Sequence, residues 1–305
     1  MVITRNEPVV EYRTGGFRGL VGRRPVVVFF VLANLLSWAA WTPYVLSENG
    51  VGVLHFRFPE IMGSSQLAGV LPGAYLGPIL SAFLVTALAD GRSGLRQWVG
   101  RLWKWRVSWR LYLAVLVAVP VVFVLVGVAW TGGQAQLPSV AVLAAYLPAL
   151  LVQMLTTGLA EEPGWRDFAL PRLQRRFGPL GGTFVLGPVW GIWHLPLFLT
   201  DWAGPHGASW LSVVEFVVSA TMFSVVITWV FNRTGESLPL VMLLHVSVNN
   251  FFSVAATEVF PTMGAQDPAR ILLLASTIAA VILIVATRGR LGYQPVPPAF
   301  GTPAR

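Results

Sequence analysis

Long apolar stretches alternate with short polar ones along almost the whole chain. Eight of the apolar stretches are long enough to cross a hydrocarbon core of about 30 Å as helices that rise about 1.5 Å per residue. Gly and Pro interrupt several of them, and membrane bundles tolerate such residues where neighbouring groups satisfy the freed backbone. The pattern predicts membrane spans near residues 26–47, 65–89, 111–131, 138–161, 180–200, 209–231, 238–259 and 270–287.

The composition favours a membrane protein over a soluble one. The 305 residues are 55% hydrophobic and only 11% charged, and the mean hydropathy is +0.67, whereas a soluble domain carries about 25% charged residues. The chain contains no cysteine, which excludes a disulfide framework, a thiolate nucleophile and a thiolate zinc site. We therefore expect an all-α fold, a polytopic membrane helix bundle of about eight transmembrane helices.

Basic residues are clustered in the polar stretches and account for the net charge of +8. The clusters lie at residues 92–110, 166–176, 233 and 288–290. With eight spans, all of them fall on the same side as the N-terminal arginines, and the opposite loops contain only Arg57 and Arg270. The positive-inside rule then places both termini in the cytosol of a multi-pass protein of the cell (plasma) membrane. Such clusters favour anionic lipid headgroups as partners, and not nucleic acid.

The chain divides into one membrane domain and two tails. Residues 25–290 are predicted to form a single membrane domain with a core at about 140–255, between a disordered cytosolic N-terminal tail (1–24) and a Pro-rich cytosolic tail (291–305). Within the domain, residues 91–110 alternate Arg or Lys with Leu and Trp. At helical spacing this pattern predicts an amphipathic helix that lies in the membrane interface, with its Trp residues at headgroup depth.

Two adjacent carboxylates, Glu161 and Glu162, end the fourth predicted span. Carboxylates at membrane depth are costly and usually functional, although both could instead reach the cytosolic headgroups as an ordinary helix end. Neighbours on a helix point about 100° apart, so the two are expected to have different roles. Arg166 could pair with Glu162 at a spacing of four, but Pro163 biases Glu162 away from helical geometry. If the pair forms, Glu161 is left as a general base or metal ligand.

Two later spans contain the other polar candidates. His194 lies inside the fifth span, and His245 and Asn249 lie four residues apart on one face of the seventh. Each could be a residue that only hydrogen-bonds helices together. A carboxylate, two imidazoles and an amide are, however, the groups that activate water against a peptide carbonyl and stabilise the resulting oxyanion. Their coincidence on three spans favours one hydrolytic site.

The predicted depths of the two histidines differ. Counted from the cytosolic ends of the spans, His194 is about 20 Å deep at helical rise, and His245 only about 10 Å. The fifth helix therefore starts later than Leu180, or the segment 163–178 dips into the membrane.

The three segments resemble the motifs of the CPBP family of intramembrane metalloproteases. The motifs are Glu-Glu-x-x-x-Arg at 161–166, aromatic-x-x-x-His at 190–194 and His-x-x-x-Asn at 245–249. This family groups type 2 CAAX prenyl proteases with bacteriocin-processing and immunity (Abi) proteins, and the resemblance covers roughly residues 140–255. The second motif often opens with Phe in the family, and here Trp190 stands there and preserves an aromatic wall.

The resemblance implies an endopeptidase that hydrolyses a peptide bond near the cytosolic face, with a site open to the cytosol and the bilayer. It implies that Glu161 activates water, with His194, His245 and Asn249 beside it. Glu162 and Arg166 would support these residues.

The resemblance leaves the cofactor and the activity open. One divalent metal ion, with zinc favoured, would be bound by Glu161, His194 and His245, or the same groups would activate water without a metal. The expected partners are membrane lipids and a peptide or membrane-protein substrate. The alternatives are a non-proteolytic membrane scaffold, a bacteriocin-immunity-type protein and a small transporter.

Overall fold

The computed structural model of this protein describes residues 16–204 and 208–294. Over these residues the fold is helical throughout and contains no β-strand, only an isolated bridge between Ile61 and Ser64. The predicted fold class, an all-α polytopic bundle, is therefore confirmed.

The helices follow the hydrophobic pattern closely. They are α1 (Phe17–Arg23), α2 (Pro25–Leu46), α3 (Leu71–Ala89), α4 (Gly91–Leu102), α5 (Trp109–Trp130), α6 (Val140–Gln153), α7 (Leu159–Glu162), α8 (Leu170–Trp193), α9 (Trp210–Arg233), α10 (Leu238–Val259) and α11 (Asp267–Thr287). Every predicted span overlaps one or more of these helices, and the largest difference in bounds is at the fifth span, predicted at 180–200, where α8 covers Leu170–Trp193.

Seven helical runs in the described residues are long and apolar enough to cross a membrane, one fewer than predicted. The difference arises because the fourth and fifth predicted spans are joined in one run of 60 residues, Val140–Leu199. A straight helix of that length would measure about 90 Å. The run instead turns at Gly178, whose φ of 73° and ψ of 170° leave the helical region. Glycine adopts such a positive φ without a steric cost.

The predicted spans suggested a loop after the adjacent glutamates, but the polar segment there is helical. It continues α7 as the π-helical turn Pro163–Ala169, and all seven residues of the turn are buried. Pro163 lacks an N–H, and its own carbonyl accepts a hydrogen bond of 2.9 Å from the indole of Trp98 on α4. Trp165 and Phe168 pack against Phe29 of α2, with ring centroids 5.2 and 4.9 Å apart. Residues 163–171 are therefore packed in the bundle, in agreement with the second of the two possibilities left by the histidine depths, whereas residues 175–177 are exposed.

Polar contacts fasten one end of the bundle, which we call the arginine-rich end (residues 90–108, 163–177, 232–237 and 288–294). Arg101 of α4 donates to Asp167 at 2.5 Å and to Glu236 at 2.7 Å. Asn232 donates to the carbonyl of Leu291 at 3.0 Å.

Other contacts fasten the opposite end, the arginine-poor end (residues 47–65, 131–139, 200–204, 208–212 and 258–270). Asn49 donates to Asp201 at 2.9 Å, which joins the loop after α2 to the loop after α8. The Gln136 N–H donates to the Val259 carbonyl at 2.9 Å. The bundle thus has two distinct ends, and at each end hydrogen bonds join segments that are distant in the chain.

Two local predictions need correction. The predicted interfacial helix covers Gly91–Leu102 and not the whole of 91–110, and Trp98 on it is buried in the bundle while Trp103 is 73% exposed. Part of the predicted disordered tail at 1–24 is helical, since α1 covers Phe17–Arg23. Residues 1–15, and the predicted Pro-rich tail from 295 on, lie outside the described residues.

Candidate active site

The two adjacent glutamates lie on α7 and are both buried. Glu161 is 6% exposed and Glu162 is fully buried, so the interpretation of the pair as a helix end in the headgroups is wrong. Glu161 lines a cavity of about 650 Å³, and Glu162 does not. The helical separation of neighbouring side chains thus directs one carboxylate to the cavity and the other into the packed bundle.

Glu162 forms the centre of a buried charged cluster. Its Oε1 accepts hydrogen bonds from Arg166 Nη1 at 3.2 Å and from His245 Nδ1 at 2.7 Å. The predicted Glu162–Arg166 pair is therefore present, because the helix continues through Pro163. Arg166 Nη2 also donates to Ser224 Oγ of α9 at 3.2 Å. A buried charge is tolerated when it is paired in this way, and the cluster fixes the orientation of the His245 ring.

Trp190 of α8 contacts four of the other groups, a role that the sequence did not reveal. Its indole Nε1 donates to Glu161 Oε2 at 2.8 Å, and its ring lies 4.0 Å from the guanidinium carbon of Arg166. The ring is perpendicular to His245, with centroids 5.2 Å apart. Its carbonyl accepts from His194 Nδ1 at 2.9 Å. A Phe at this position would keep the ring but lose the N–H.

His194 ends α8 inside an aromatic cage. Its ring centroid lies 4.6 Å from that of Trp193, 4.9 Å from Phe216 and 5.6 Å from Trp202. Because the Trp190 carbonyl accepts a hydrogen bond, His194 Nδ1 carries the proton. His245 Nδ1 likewise donates to a carboxylate, so in the neutral rings both Nε2 atoms are left as hydrogen-bond acceptors.

One cavity unites the side chains that the sequence predicted to converge. Glu161, Trp190, His194, His245 and Asn249 all line it, and Asn249 is half-buried one turn after His245. Glu162 and Arg166 stand behind His245 and do not reach the cavity. The arrangement separates the lining residues, which can contact a bound molecule, from Glu162 and Arg166, which only hold the lining residues in position.

The predicted metal ligands do not form a metal site. Among the described residues, no group of three or more His, Cys, Asp and Glu side chains is arranged to hold a metal ion, and the set Glu161, His194 and His245 is no exception. One Glu161 oxygen is already bonded to the Trp190 indole. We therefore derive no step through a metal, and a bound divalent ion stays a prediction.

The helix α4 is fastened directly behind the site. Trp98 donates to the Pro163 carbonyl, and Arg101 binds Asp167, a fully buried carboxylate that the sequence analysis did not single out. Burial lowers the pKa of the Arg101 guanidinium, but the carboxylates of Asp167 and Glu236 outweigh this effect and raise it above its ordinary value. The arginine stays charged and ties α4 to the segment that carries the glutamates.

Two comparisons with known proteins bear on the identity of the chain. Residues 143–251, which include all three motifs, match the family described as type II CAAX prenyl endopeptidase Rce1-like. The chain is also 23% identical over 218 residues to CAAX prenyl protease 2 of Methanococcus maripaludis, a match that covers 65% of this chain and 78% of that relative. For this multi-pass membrane protein, the resemblance to the CPBP family of membrane proteases that the motifs indicated is therefore confirmed.

Proposed function

We propose that this protein is a membrane endopeptidase that hydrolyses a peptide bond with a water molecule activated in the 650 Å³ cavity. One observation supports this most directly: Glu161, His194, His245 and Asn249 line that cavity together. The CAAX-protease-like character of the family supports the same reaction class.

In the proposed mechanism, Glu161 is the general base. Trp190 holds one carboxylate oxygen, and the other oxygen accepts a proton from water in the cavity. The hydroxide forms a bond to the scissile carbonyl carbon and produces a tetrahedral oxyanion. Glu161 then returns the proton to the leaving amine as the C–N bond breaks, so that water is added across the peptide bond.

The histidines and the asparagine supply the remaining interactions. The water's second O–H donates to one of the two free Nε2 acceptors, on His194 or on His245, and this hydrogen bond orients it. The Asn249 amide donates to the oxyanion and so stabilises the negative charge that develops on it. Glu162 and Arg166 act through His245 and take no part in proton transfer.

A matched pair of variants tests this proposal. The purified protein in detergent is incubated with a peptide library and the products are identified by mass spectrometry. Glu161→Gln should lower the rate about 10²–10⁴-fold, which is the usual contribution of a general base. Glu60→Gln makes the same chemical change on an exposed carboxylate and should leave the rate unchanged. Full cleavage by the Glu161 variant would refute the mechanism, and binding without cleavage by the native chain would indicate a scaffold.

The cofactor is tested separately. We propose that the water is activated without a metal, because the predicted ligands are not arranged to hold one. Cleavage should then survive dialysis against a strong chelator, and the purified chain should contain less than one metal ion per molecule. Loss of activity with chelator and recovery with zinc would overturn this part of the proposal.

A further inference from the structure

A second cavity lies at the arginine-rich end, between the C-terminal ends of α9 and α11. Its volume is about 440 Å³, and it shares no described lining residue with the cavity of the proposed active site. Arg233 of α9 and Arg290 of the segment after α11 line it, together with Thr287, Tyr293 and Gln294. Two cations and several hydrogen-bonding side chains therefore face one space that the proposed reaction does not use.

The two arginines of this cavity have no acidic partner among the described residues. None of the described lining residues is acidic. In the part of the chain that the structure describes, no carboxylate forms an ion pair with Arg233 or Arg290. A guanidinium presents a fixed fork of N–H donors that matches the oxygens of a phosphate or a carboxylate. The cavity therefore has the chemistry of an anion site.

The segment after α11 has an unusual backbone conformation beside this cavity. Arg288 and Leu291 have φ of 51° and 45°, in the left-handed region that residues with a Cβ rarely adopt. Leu291 is fully buried, its N–H donates to Thr287 Oγ1 at 3.1 Å, and its carbonyl accepts from Asn232 at 3.0 Å. Such conformations persist where the surrounding contacts fix them, and they cluster at functional sites such as ligand clamps. Here they hold Arg290 at the cavity.

A glycine lets the second arginine lie against this segment. Gly292 has a φ of 69°, and a Cβ at this position would lie only 2.6 Å from Cδ of Arg233. The aliphatic part of the Arg233 side chain therefore crosses the Gly292 backbone, two residues from Arg290. A residue with a side chain here would displace Arg233 and strain the backbone. The glycine thus brings the arginine of α9 and the arginine after α11 to one site.

We propose that this cavity binds the phosphate group of an anionic phospholipid. Basic pockets between transmembrane helices bind the headgroups of anionic lipids. The neighbouring surface favours a lipid over free phosphate: Trp229 lines the cavity, and Ile278, Ile282 and Val285 of α11 are 47%, 60% and 72% exposed. One molecule can therefore place its phosphate between the arginines and an acyl chain along the apolar surface of α11.

A phosphate at this site would join separate parts of the bundle. Arg233 belongs to α9 and Arg290 follows α11, so an anion that binds both links the two helices. Asn232, next to Arg233, is joined to Gln174 of α8 by two hydrogen bonds of 2.8 and 3.1 Å. A ligand that binds only the folded state raises its stability. An anionic lipid should therefore raise the melting temperature of the protein.

Lipid titrations of three single variants test the site. The purified full chain in detergent is titrated with phosphatidylglycerol or with phosphatidylcholine, and thermal unfolding and native mass spectrometry report binding. Phosphatidylglycerol should raise the melting temperature and phosphatidylcholine should not. Arg233→Gln and Arg290→Gln should each lower the apparent affinity about tenfold, as expected for lost hydrogen bonds to a charged group. Arg288→Gln is the matched control, because Arg288 is exposed and does not line the cavity, and it should bind as the native chain does.

Three results would overturn the proposal. The first is equal binding of the two lipids, or an equal loss of affinity in the Arg288 variant. The second is a shift with inorganic phosphate alone as large as that with phosphatidylglycerol, which would indicate a site for a small anion. The third is an equal lipid-induced shift in the native chain and in the Arg233 and Arg290 variants, which would mean that these arginines only balance the carbonyl ends of the helices. None of these measurements depends on cleavage, so they test the site independently of the proposed function.

Discussion

The two sides of α7 differ in how their polar side chains are accommodated. On the cavity side, Glu161 and Asn249 keep polar atoms accessible beside open space. On the other side, Glu162 and Arg166 are buried and bonded to one another. Two glutamates that are adjacent in sequence thus belong to different environments. The contrast shows that burial and pairing, and not the residue type, decide which carboxylate is available for chemistry.

The largest effect expected from this contrast is on stability. Glu162→Gln leaves Arg166 buried without a charged partner, which costs about 3–5 kcal/mol of unfolding free energy, and it also frees the His245 ring. Glu161→Gln, by contrast, should leave the melting temperature almost unchanged while lowering the cleavage rate about 10²–10⁴-fold. Thermal unfolding in detergent measures both variants. Equal destabilisation by the two substitutions would remove the distinction between the two sides.

Two adjacent asparagines sharpen the same comparison. Asn249 lines the cavity, whereas Asn250 is fully buried and donates to the Tyr146 carbonyl at 3.0 Å. Asn249→Ala should lower kcat about 10²–10³-fold with little change in KM, as the loss of an oxyanion donor does. Asn250→Ala should mainly lower the melting temperature. Steady-state kinetics and thermal unfolding of both variants measure these effects. A lower kcat in the Asn250 variant together with a lower melting temperature in the Asn249 variant would contradict the assignment.

A smaller effect is expected at the indole that bonds Glu161. Trp190→Phe removes the N–H and keeps an aromatic ring, so kcat/KM should fall about tenfold, as expected for a lost hydrogen bond to a charged group. Trp193→Phe is the matched control, because its indole donates to Ser37 Oγ at 2.7 Å and not to a carboxylate. A larger decrease of kcat/KM in the Trp193 variant would show that the shape of the cavity wall affects catalysis more than the hydrogen bond from Trp190 to Glu161 does.

The smallest effect is expected at the exposed surface of the arginine-poor end. Arg57 and Glu48 form an ion pair at 3.5 Å with side chains that are 67% and 44% exposed. Exposed pairs of this kind contribute about 0–1 kcal/mol. Arg57→Gln should therefore leave both unfolding and cleavage within error. A measurable change in cleavage would indicate that this loop contacts the substrate.

Hydropathy was sufficient to predict most of the fold, because a helix that crosses lipid must be long and apolar. It could not predict the helical continuation through Pro163, since that depends on Trp98 bonding the Pro163 carbonyl from a distant helix. Nor could hydropathy predict the turn at Gly178, because the sequence does not show which glycine adopts a positive φ.

The three motifs also predicted the members of the site, because few polar residues occur within the spans. They did not predict the hydrogen bond from the Trp190 indole to Glu161. An aromatic residue in a motif indicates an apolar wall of the site, and it does not show whether an indole N–H donates to a neighbouring group. Nor did they predict which loop residues line the cavity, because that depends on how distant loops pack together.

The turn at Gly178 has a consequence for how this site can vary. Glu161 and His194 are carried by the same helical run, folded back on itself at a single residue. One residue inserted within either helical arm, between Glu161 and Gly178 or between Gly178 and His194, would shift the phase of that arm by about 100°. The non-helical backbone at Gly178 can absorb an inserted residue instead. The helical repeat therefore fixes the spacing within each arm, and the turn is the place between these two side chains where the chain can change in length.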